Sequence, residues 1–196
     1  DVGANIGQYA LELRKIGFKG QIIYFEPFHS LSEKLKNNTN QDPMCEALNI
    51  ALGDNDEESY INVADNSNNA SSSLLEMLPE HLNGSPESMY MSKEKIIVRK
   101  LDSVMKDYYN KGDNIFLKID VQGFEKQVLD GAEHSLTNIT GIQIEMSLVP
   151  LYLGSILYTE VIELLKYKGF QLKGLENGFA NPKTGQLLQV DGIFYR

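Results

Sequence analysis

The sequence has no tryptophan, one cysteine and only three histidines. A lone thiol, Cys45, cannot form an internal disulfide framework, which favours a reducing compartment such as the cytoplasm. The thiol itself is expected to be a small buried hydrophobic group. His29, His81 and His134 do not have the spacing of metal ligands, so we expect all three at the surface. No apolar run approaches the ~18 residues of a membrane span, and no membrane partner is expected.

Basic residues are also scarce. The 18 lysines and arginines are outnumbered by 27 acidic residues, which gives a net charge of −9. Because such a surface repels phosphate backbones, nucleic acid is not expected as a partner. A small-molecule or sugar acceptor fits this charge better. The length of 196 residues and the apolar fraction of 42% predict one globular domain over residues 1–196. Neither number predicts an oligomeric state.

Short apolar runs alternate with segments of helical periodicity. The runs predict buried strands, and the alternation predicts an α/β fold with a doubly wound, mostly parallel sheet of the Rossmann-like type. A closing antiparallel strand is expected at 191–195. Asp1 is interpreted as the end of a first strand that is largely missing from the sequence. The other predicted strands are 22–25, 44–50, 96–99, 115–120 and 142–146, and the predicted helices are 6–16, 31–38, 102–109, 124–132 and 161–167.

Three local signals refine this pattern. Gly17-Phe18 and Gly169-Phe170 are expected to end helices with a left-handed glycine. Asp102-Ser103 is expected to cap the helix that follows it. The polar segment from Asp54 to about Glu94 is too rich in Asn, Ser and acidic residues to build a core, although 60–63 could be a strand within it. Such an insert is either a functional lid or a disordered segment, and both interpretations remain open.

A glycine turn at the N-terminus points to a nucleoside site. Gly3 lies between the presumed strand end at Asp1 and the first helix, where it allows a tight turn and leaves space for a ligand to approach the backbone. Gly7 lets that helix pack near the strand. Glu26 ends the next predicted strand. In a doubly wound sheet these two strand ends are neighbours at the ligand crevice, where a carboxylate can accept both ribose hydroxyls.

The composition of the turn selects among nucleosides. Dinucleotide sites favour G-x-G-x-x-G, whereas here Asp1 comes first and Asn5 replaces the second glycine. Asp1 would repel a pyrophosphate but suits a cationic amino-acid group, which favours S-adenosylmethionine over NAD. The alternatives are a nicotinamide-dependent oxidoreductase and a non-catalytic nucleoside-binding or interaction module.

A second polar cluster follows a later strand. Lys118 and Asp120 share one face of the strand at 115–120, and both are costly inside a core unless they pair or line a cleft. They form either a buried ion pair or part of a reaction centre with Asp120 near the transferred methyl group. Glu145, near the end of the next strand, faces the same crevice or is a structural carboxylate. Asp120 and Glu145 alone give little support for a metal.

Several motifs together resemble the FkbM-type methyltransferases. They occur in family order as 1–7, 25–27, 51–54, 101–103, 118–125 and 128–132. The resemblance implies a class I methyltransferase fold, S-adenosylmethionine as cofactor and O-methylation of a small molecule or sugar. Gln122 departs from the family, which usually has Glu there. The cofactor-binding residues implied are Asp1, Gly3, Ala4, Asn5, Gly7, Glu26, Pro27, Ala51, Leu52 and Asp120, and the catalytic candidates are Asp120, Lys118 and Glu145.

Overall fold

The computed structural model describes residues 1–110 and 112–196, which form an α/β structure. The strands are β1 (Ile22–Phe25), β2 (Cys45–Leu48), β3 (Ala51–Leu52), β4 (Glu57–Ala64), β5 (Tyr90–Arg99), β6 (Ile115–Ile119), β7 (Ile139–Ser147), β8 (Gln171–Asn177) and β9 (Gln189–Tyr195). The helices are α1 (Gln8–Lys15), α2 (His29–Thr39), α3 (Pro79–Gly84), α4 (Leu101–Val104), α5 (Glu125–Asp130) and α6 (Tyr158–Tyr167). Short 3-10 helices lie at Ser67–Asn69, Pro86–Ser88, Met105–Asp107 and Ser135–Asn138.

Val2 connects the two strand groups that position the site. It forms parallel bridges with Phe25 of β1 and Ile119 of β6. Its backbone N–H donates to Lys118 O at 2.9 Å, and its carbonyl accepts from Asp120 N at 3.0 Å. The carboxyl ends of β1 and β6 therefore lie on either side of the glycine turn, as expected for a ligand crevice.

The sheets are mixed, so the expectation of a doubly wound, mostly parallel sheet is not confirmed. Pairs β1–β2, β3–β5 and β6–β7 are parallel, whereas β4–β5, β7–β9 and β8–β9 are antiparallel. This confirms the α/β class and the closing antiparallel strand, which is β9. Strand β8 was missed because nearly all of it is exposed and polar residues interrupt its apolar pattern.

The main core lies on the central strands. Leu117, Ile119, Ile142, Ile144 and Phe194 are all at most 5% exposed. Strands covered on both faces consist of near-continuous apolar residues, which is why these segments were recognisable from the sequence.

Both predicted glycine helix ends are present. Gly17 has φ +94° and Gly169 has φ +90°. After each, the next residue donates its N–H to the carbonyl five residues back, Phe18 to Leu13 and Phe170 to Leu165. This six-to-one bond is that of a Schellman cap, and the apolar residue beyond the glycine packs back on the helix.

The polar segment is folded, which corrects the expectation that it does not contribute to a core. Strands β4 and β5 form a long antiparallel pair that spans it, and Ile61 and Ala64 are buried. The part from 65 to 73 is held by hydrogen bonds between its own polar side chains and backbone. Ser72 Oγ, for example, accepts the Ala64 N–H at 2.9 Å. Polar residues build this region by satisfying one another rather than by apolar burial.

Two further predictions are wrong. Asp102 does not cap its own helix: Lys100 precedes α4, and the Asp102 carboxylate instead accepts the N–H groups of His134 and Ser135. His81 is not at the surface but 2% exposed, against the rings of Tyr152 and Phe179. His29 and His134 are exposed, as expected.

Cys45 is only partly buried. Its thiol lies 3.2 Å from the Tyr24 hydroxyl and 3.3 Å from a carboxylate oxygen of Asp42, so its surroundings are polar rather than purely apolar. In the part of the chain that the structure describes, no helix is both long enough and apolar enough to cross a bilayer.

Candidate functional site

A cavity of about 410 Å³ opens where the glycine turn, the end of β1 and the end of β6 meet. Of the residues predicted to bind a cofactor or to act in catalysis, it brings together Asp1, Gly3, Ala4, Asn5, Glu26, Pro27, Ala51, Leu52, Lys118 and Asp120. Gly7 and Glu145 do not line it. A cavity of this size is in the range of small-molecule and cofactor sites.

The glycine turn is held against β6 by a very close backbone approach. A Cβ on Gly3 would lie 1.8 Å from the Asp120 carbonyl oxygen, and Gly3 has φ +77°. No side chain fits there, even before a ligand binds. The expectation that Gly3 leaves space for the ligand is therefore replaced by a structural reason, which is that glycine lets the turn reach the end of β6.

Gly7 does not line the cavity but lies behind its wall, at the contact between α1 and α2. It precedes α1 with φ +88°, and a Cβ there would lie 2.6 Å from Leu35 Cδ1 of α2. Its small size lets α1 pack against α2 rather than against a strand, and it contributes to the site only through the placement of α1.

Glu26 is the most buried acidic group of the cavity, at 3% exposure. Its Oε2 accepts the Asn5 N–H at 2.8 Å and its Oε1 accepts the Phe28 N–H at 2.9 Å. Burial raises the pKa of Glu26 to about 7, although the two N–H donors act in the opposite direction. Each carboxylate oxygen still has a lone pair for a ligand hydroxyl.

Asp1 presents a different kind of acidic group. Both of its carboxylate oxygens are buried and have no hydrogen-bond partner in the described residues. A buried carboxylate without a partner is costly, and the usual explanation is a missing donor. Because Asp1 lines the cavity, a cationic ligand group could provide that donor.

Lys118 and Asp120 form the expected ion pair, and both also line the cavity. Lys118 Nζ lies 3.1 Å from Asp120 Oδ2, and the two side chains are 11% and 35% exposed. Burial by itself lowers the pKa of Lys118, but Asp120, Glu145 and Asp191 outweigh it and raise the pKa above its ordinary value. Lys118 therefore stays charged and offsets the negative charge of this end of the site.

Glu145 lies behind Asp120 rather than in the cavity wall. Its Oε2 accepts hydrogen bonds from Gln122 Nε2 at 2.9 Å and Gln189 Nε2 at 2.6 Å. Burial, followed by the charge of Asp120, raises the pKa of Glu145 well above its usual range. Glu145 therefore does not face the crevice itself. Its contact with the cavity wall runs through Gln122, which does line the cavity.

Several cavity residues were not identified from the sequence. Tyr9 of α1 lies with its ring 5.5 Å from Lys118 Nζ, and its hydroxyl donates to Gln143 Oε1 at 2.9 Å. In the sequence, Tyr9 shares the helical spacing of the apolar residues of the predicted helix 6–16, which is typical of a core residue. Phe28 lies directly after Glu26-Pro27, so its place beside an acidic strand end was the available signal. The other residues missed include Gln8, Glu12, Leu31, Ile61, Leu74, Val121 and Phe124.

The segment 65–73, here called the strap, covers one side of the cavity. Asn69, Ala70 and Ser72 belong to the cavity wall. Asn5 Nδ2 of the glycine turn donates to the Asn68 carbonyl at 2.9 Å. At the other end, Ser73 Oγ donates to the Gln122 carbonyl at 2.6 Å. The strap is thus fastened to both polar loops of the site.

Three other motifs of the family resemblance meet through Gly53, Asp102 and Gly131, none of which lines the cavity. A Cβ on Gly131 would lie 1.9 Å from the Gly53 carbonyl oxygen, and the Gly131 carbonyl accepts the Asp102 N–H at 3.0 Å. The segments 51–54, 101–103 and 128–132 therefore fix the packing of α4 and α5 beside the site. Among the residues described, no group of three or more acidic, His or Cys side chains could hold a metal ion.

Comparison with known proteins agrees with this arrangement. The profile of the Methyltransferase FkbM domain matches residues 1–172. An FkbM methyltransferase structure from Methylobacillus flagellatus KT is 18% identical, with a TM-score of 0.51, over 98% of this chain and 42% of that one. A proposed RNA methyltransferase from Pyrococcus horikoshii is 11% identical, with a TM-score of 0.50, over 100% of this chain and 73% of that one. At these identities the two structures support the fold alone.

The chain spans less than half the length of the Methylobacillus structure. No curated protein matches the chain. The profile match nevertheless covers most of the sequence and includes the glycine turn, the end of β1 and the loop after β6. The chain belongs to the FkbM methyltransferase family.

Proposed function

We propose that this domain transfers a methyl group from S-adenosylmethionine to a hydroxyl of a small molecule or sugar, on a doubly wound α/β scaffold of the class I type. The observation that carries the proposal is the convergence of Asp1, Glu26 and Asp120 on one cavity. Each carboxylate has different surroundings, and each suits a different part of the reacting pair.

The residues present fit the cofactor. The unpartnered oxygens of Asp1 are suited to a cationic amino group beside the glycine turn. The remaining lone pairs of Glu26 are suited to two ribose hydroxyls. The apolar side chains of Phe28, Leu31 and Ile61 give a wall against which a purine ring can pack. Ala4, Pro27, Ala51 and Leu52 complete the same wall.

The reaction needs alignment, exclusion of water and removal of a proton. S-adenosylmethionine supplies a methyl group already activated by a sulfonium. Asp120 would accept a hydrogen bond from the acceptor hydroxyl and take its proton as the oxygen–methyl bond forms and the methyl–sulfur bond breaks, which leaves the neutral thioether S-adenosylhomocysteine. Lys118 Nζ contacts Asp120 Oδ2 at 3.1 Å and places a positive charge beside it. The strap keeps water away from one side of the cavity.

The alternatives predict different ligands. A nicotinamide-dependent oxidoreductase would need to bind a pyrophosphate at the glycine turn, where the Asp1 carboxylate repels it. A non-catalytic nucleoside-binding module would bind S-adenosylmethionine without turnover. We therefore propose a screen of hydroxylated acceptors with methyl-labelled S-adenosylmethionine and mass analysis of the products. Binding without transfer to any acceptor would favour the module, and absence of binding would contradict both.

Asp120→Asn tests the proposed role of the carboxylate, because it keeps the shape and removes the charge. We expect turnover to fall by roughly 10²–10⁴, the range for general acid–base assistance, with cofactor affinity changed far less. The matched control is Asp130→Asn, which removes an exposed carboxylate on α5 that pairs with Lys126. Full turnover in Asp120→Asn would mean that proximity alone carries catalysis, and failure to fold would make the ion pair a structural one.

A further inference from the structure

The side chain of Gln122 contacts three other side chains of the polar site. Its Nε2 donates to Asp120 Oδ1 and to Glu145 Oε2, both at 2.9 Å, and its Oε1 accepts the Tyr152 hydroxyl at 2.6 Å. All the hydrogen-bonding atoms of the side-chain amide are therefore used, two N–H groups on two carboxyl groups and the oxygen on a phenol.

Chemistry fixes the orientation of this amide. Ionised carboxylates only accept hydrogen bonds, so the –NH2 end of Gln122 must face Asp120 and its oxygen must face Tyr152. Tyr152 is 1% exposed and cannot satisfy its hydroxyl with solvent, which makes its bond to Gln122 Oε1 hard to replace. The phenol thus holds the amide in the orientation that donates to the carboxyl groups.

The backbone of Gln122 is also held in place. It has φ +55°, a left-handed conformation that is unfavourable for a residue other than glycine. The Ser73 hydroxyl at the end of the strap donates to its carbonyl oxygen at 2.6 Å. Strained backbone that persists under such constraints clusters at functional sites.

We propose that Gln122 is a positioning residue whose amide holds the Asp120 carboxylate in its place in the cavity wall. A carboxyl side chain at this position would turn two donors into acceptors and leave three acidic groups facing one another. The inference rests on the proposed function, because it assigns to Asp120 the task of receiving the acceptor hydroxyl. It goes further in stating that this chain needs an amide, not a carboxylate, next to that residue.

The charged and titratable groups around the 122 side chain come from several elements. Asp120 directly after β6 and Glu145 of β7 contact it, and Lys118 of β6 pairs with Asp120. Burial raises the pKa of both Asp191 on β9 and Glu125 on α5. Tyr152 faces it from the segment after β7. Lys118 is the one cation in this set, so an additional carboxylate is unfavourable here and gains a proton readily as the pH falls.

The test compares Gln122→Glu with Gln189→Glu. Both place a new carboxyl group next to Glu145 Oε2, but only Gln122 also contacts Asp120. With an acceptor found in the screen, we expect Gln122→Glu to lower kcat at pH 8 by about 10-fold to 100-fold. We expect Gln189→Glu to stay within about threefold of the parent protein. Equal losses in both variants would overturn the proposal, because the effect would then act through Glu145 or through stability.

The pH profile separates positioning from general damage. When the new carboxyl group of Gln122→Glu is protonated, it regains one O–H donor for a neighbouring carboxylate. The ratio of variant to parent kcat should therefore rise as the pH falls from 8.5 to 6. A ratio that does not change with pH would also overturn the proposal. Tyr152→Phe, which keeps the amide but removes its partner, should lower kcat with little change in the Kd for S-adenosylmethionine.

Crystal structures with S-adenosylhomocysteine keep this inference independent of the acceptor. At pH 8 the Asp120 carboxylate of Gln122→Glu should turn away from residue 122, whereas in Gln189→Glu it should stay in place. An unmoved Asp120 in Gln122→Glu overturns the positioning role even if methyl transfer is established. A displaced Asp120 in a protein that transfers no methyl group supports the positioning role and contradicts the proposed function instead.

Discussion

At the level of single residues, the site separates carboxyl groups by their surroundings. Glu26 is buried among backbone donors, Asp1 is buried without a partner in the described residues, and Asp120 pairs with Lys118. Burial raises the pKa of Glu26, whereas Asp120 has a cation within 3.1 Å and Asp1 has no partner for its carboxylate oxygens in the described residues. These three acidic residues of the cavity can therefore perform different tasks. The sequence alone does not show this difference, because it does not show the surroundings of each carboxyl group.

The raised pKa of Glu26, about 7, makes cofactor binding dependent on pH. Ribose hydroxyls donate to a carboxylate, so the ionised form binds better and binding should release a proton. If only the ionised form binds, affinity for S-adenosylmethionine should be about tenfold weaker at pH 6 than at pH 8. Calorimetry in buffers of different ionisation enthalpy measures both the affinity and the proton.

Two substitutions control this prediction. Glu26→Gln should bind more weakly, by about 1–3 kcal/mol, and lose the pH dependence. Glu125→Gln is the matched control, since burial also raises the pKa of Glu125 to about 7 but that side chain does not line the cavity. A pH dependence that survives in Glu26→Gln would assign it to another group.

At the level of helices, strands and loops, the recurring motifs fall into two groups. The glycine turn and the loop after β6 line the cavity, whereas the contact between Gly53 and Gly131 and the bonds of Asp102 hold α4 and α5 in place. The second group supports the first without touching a ligand. This explains why Asp102 looks like a helix cap in the sequence but bonds to a distant backbone.

The strap should behave as a cover whose mobility depends on the ligand. It is fastened by the bond from Asn5 to the Asn68 carbonyl and by Ser73 at its end. Asn68 at the first attachment and Asn69 directly after it have left-handed φ values of 53° and 55°. Segments with few apolar contacts and strained backbone open at low free-energy cost. We expect limited subtilisin cleavage within the strap to slow when S-adenosylmethionine and an acceptor are bound.

The exposed turn at residues 182–184 provides an internal control for this experiment, since it lies outside the cavity wall. Its cleavage rate should not change with ligand. Equal protection of both segments would indicate a global effect on stability, and unchanged cleavage of the strap would make it a passive insert.

For the molecule as a whole, one buried histidine affects acid stability. Burial lowers the pKa of His81 to about 4, so the folded state resists a proton that the unfolded chain takes up near pH 6.5. The stability associated with neutral His81 is present above pH 6.5 and is lost as the pH falls toward 4. The full loss would be about 3 kcal/mol. Glu26 and Glu125 act in the opposite sense, because their raised pKa values favour the folded state at low pH.

His81→Phe isolates this contribution, because the new ring can still pack against Tyr152 and Phe179. Between pH 7 and pH 4, its free energy of unfolding in urea should fall by about 2–3 kcal/mol less than that of the parent protein. His134→Gln, which removes an exposed histidine, should follow the parent protein. Parallel curves for His81→Phe and the parent would show that His81 does not carry the effect.

Elements with local signals could be predicted from the amino-acid sequence. Apolar runs marked β1, β6 and β7, and the glycines marked the ends of α1 and α6. The acidic strand ends marked Glu26 and Asp120 in the cavity wall. Such signals are readable because strand burial, left-handed turns and strand-end carboxylates depend on neighbouring residues in the chain.

Contacts between distant groups became visible only in the folded chain. In the folded chain His81 is buried, and the strap is built from polar residues. Glu145 lies outside the cavity wall, and Gln122 lies between Asp120 and Tyr152. The burial and the hydrogen-bond partner of a polar side chain come from segments far away in the sequence, and both set its charge state. For that reason the sequence could indicate the carboxyl groups of this site, while the fold decided which of them pair, which stay exposed to a ligand and which remain buried.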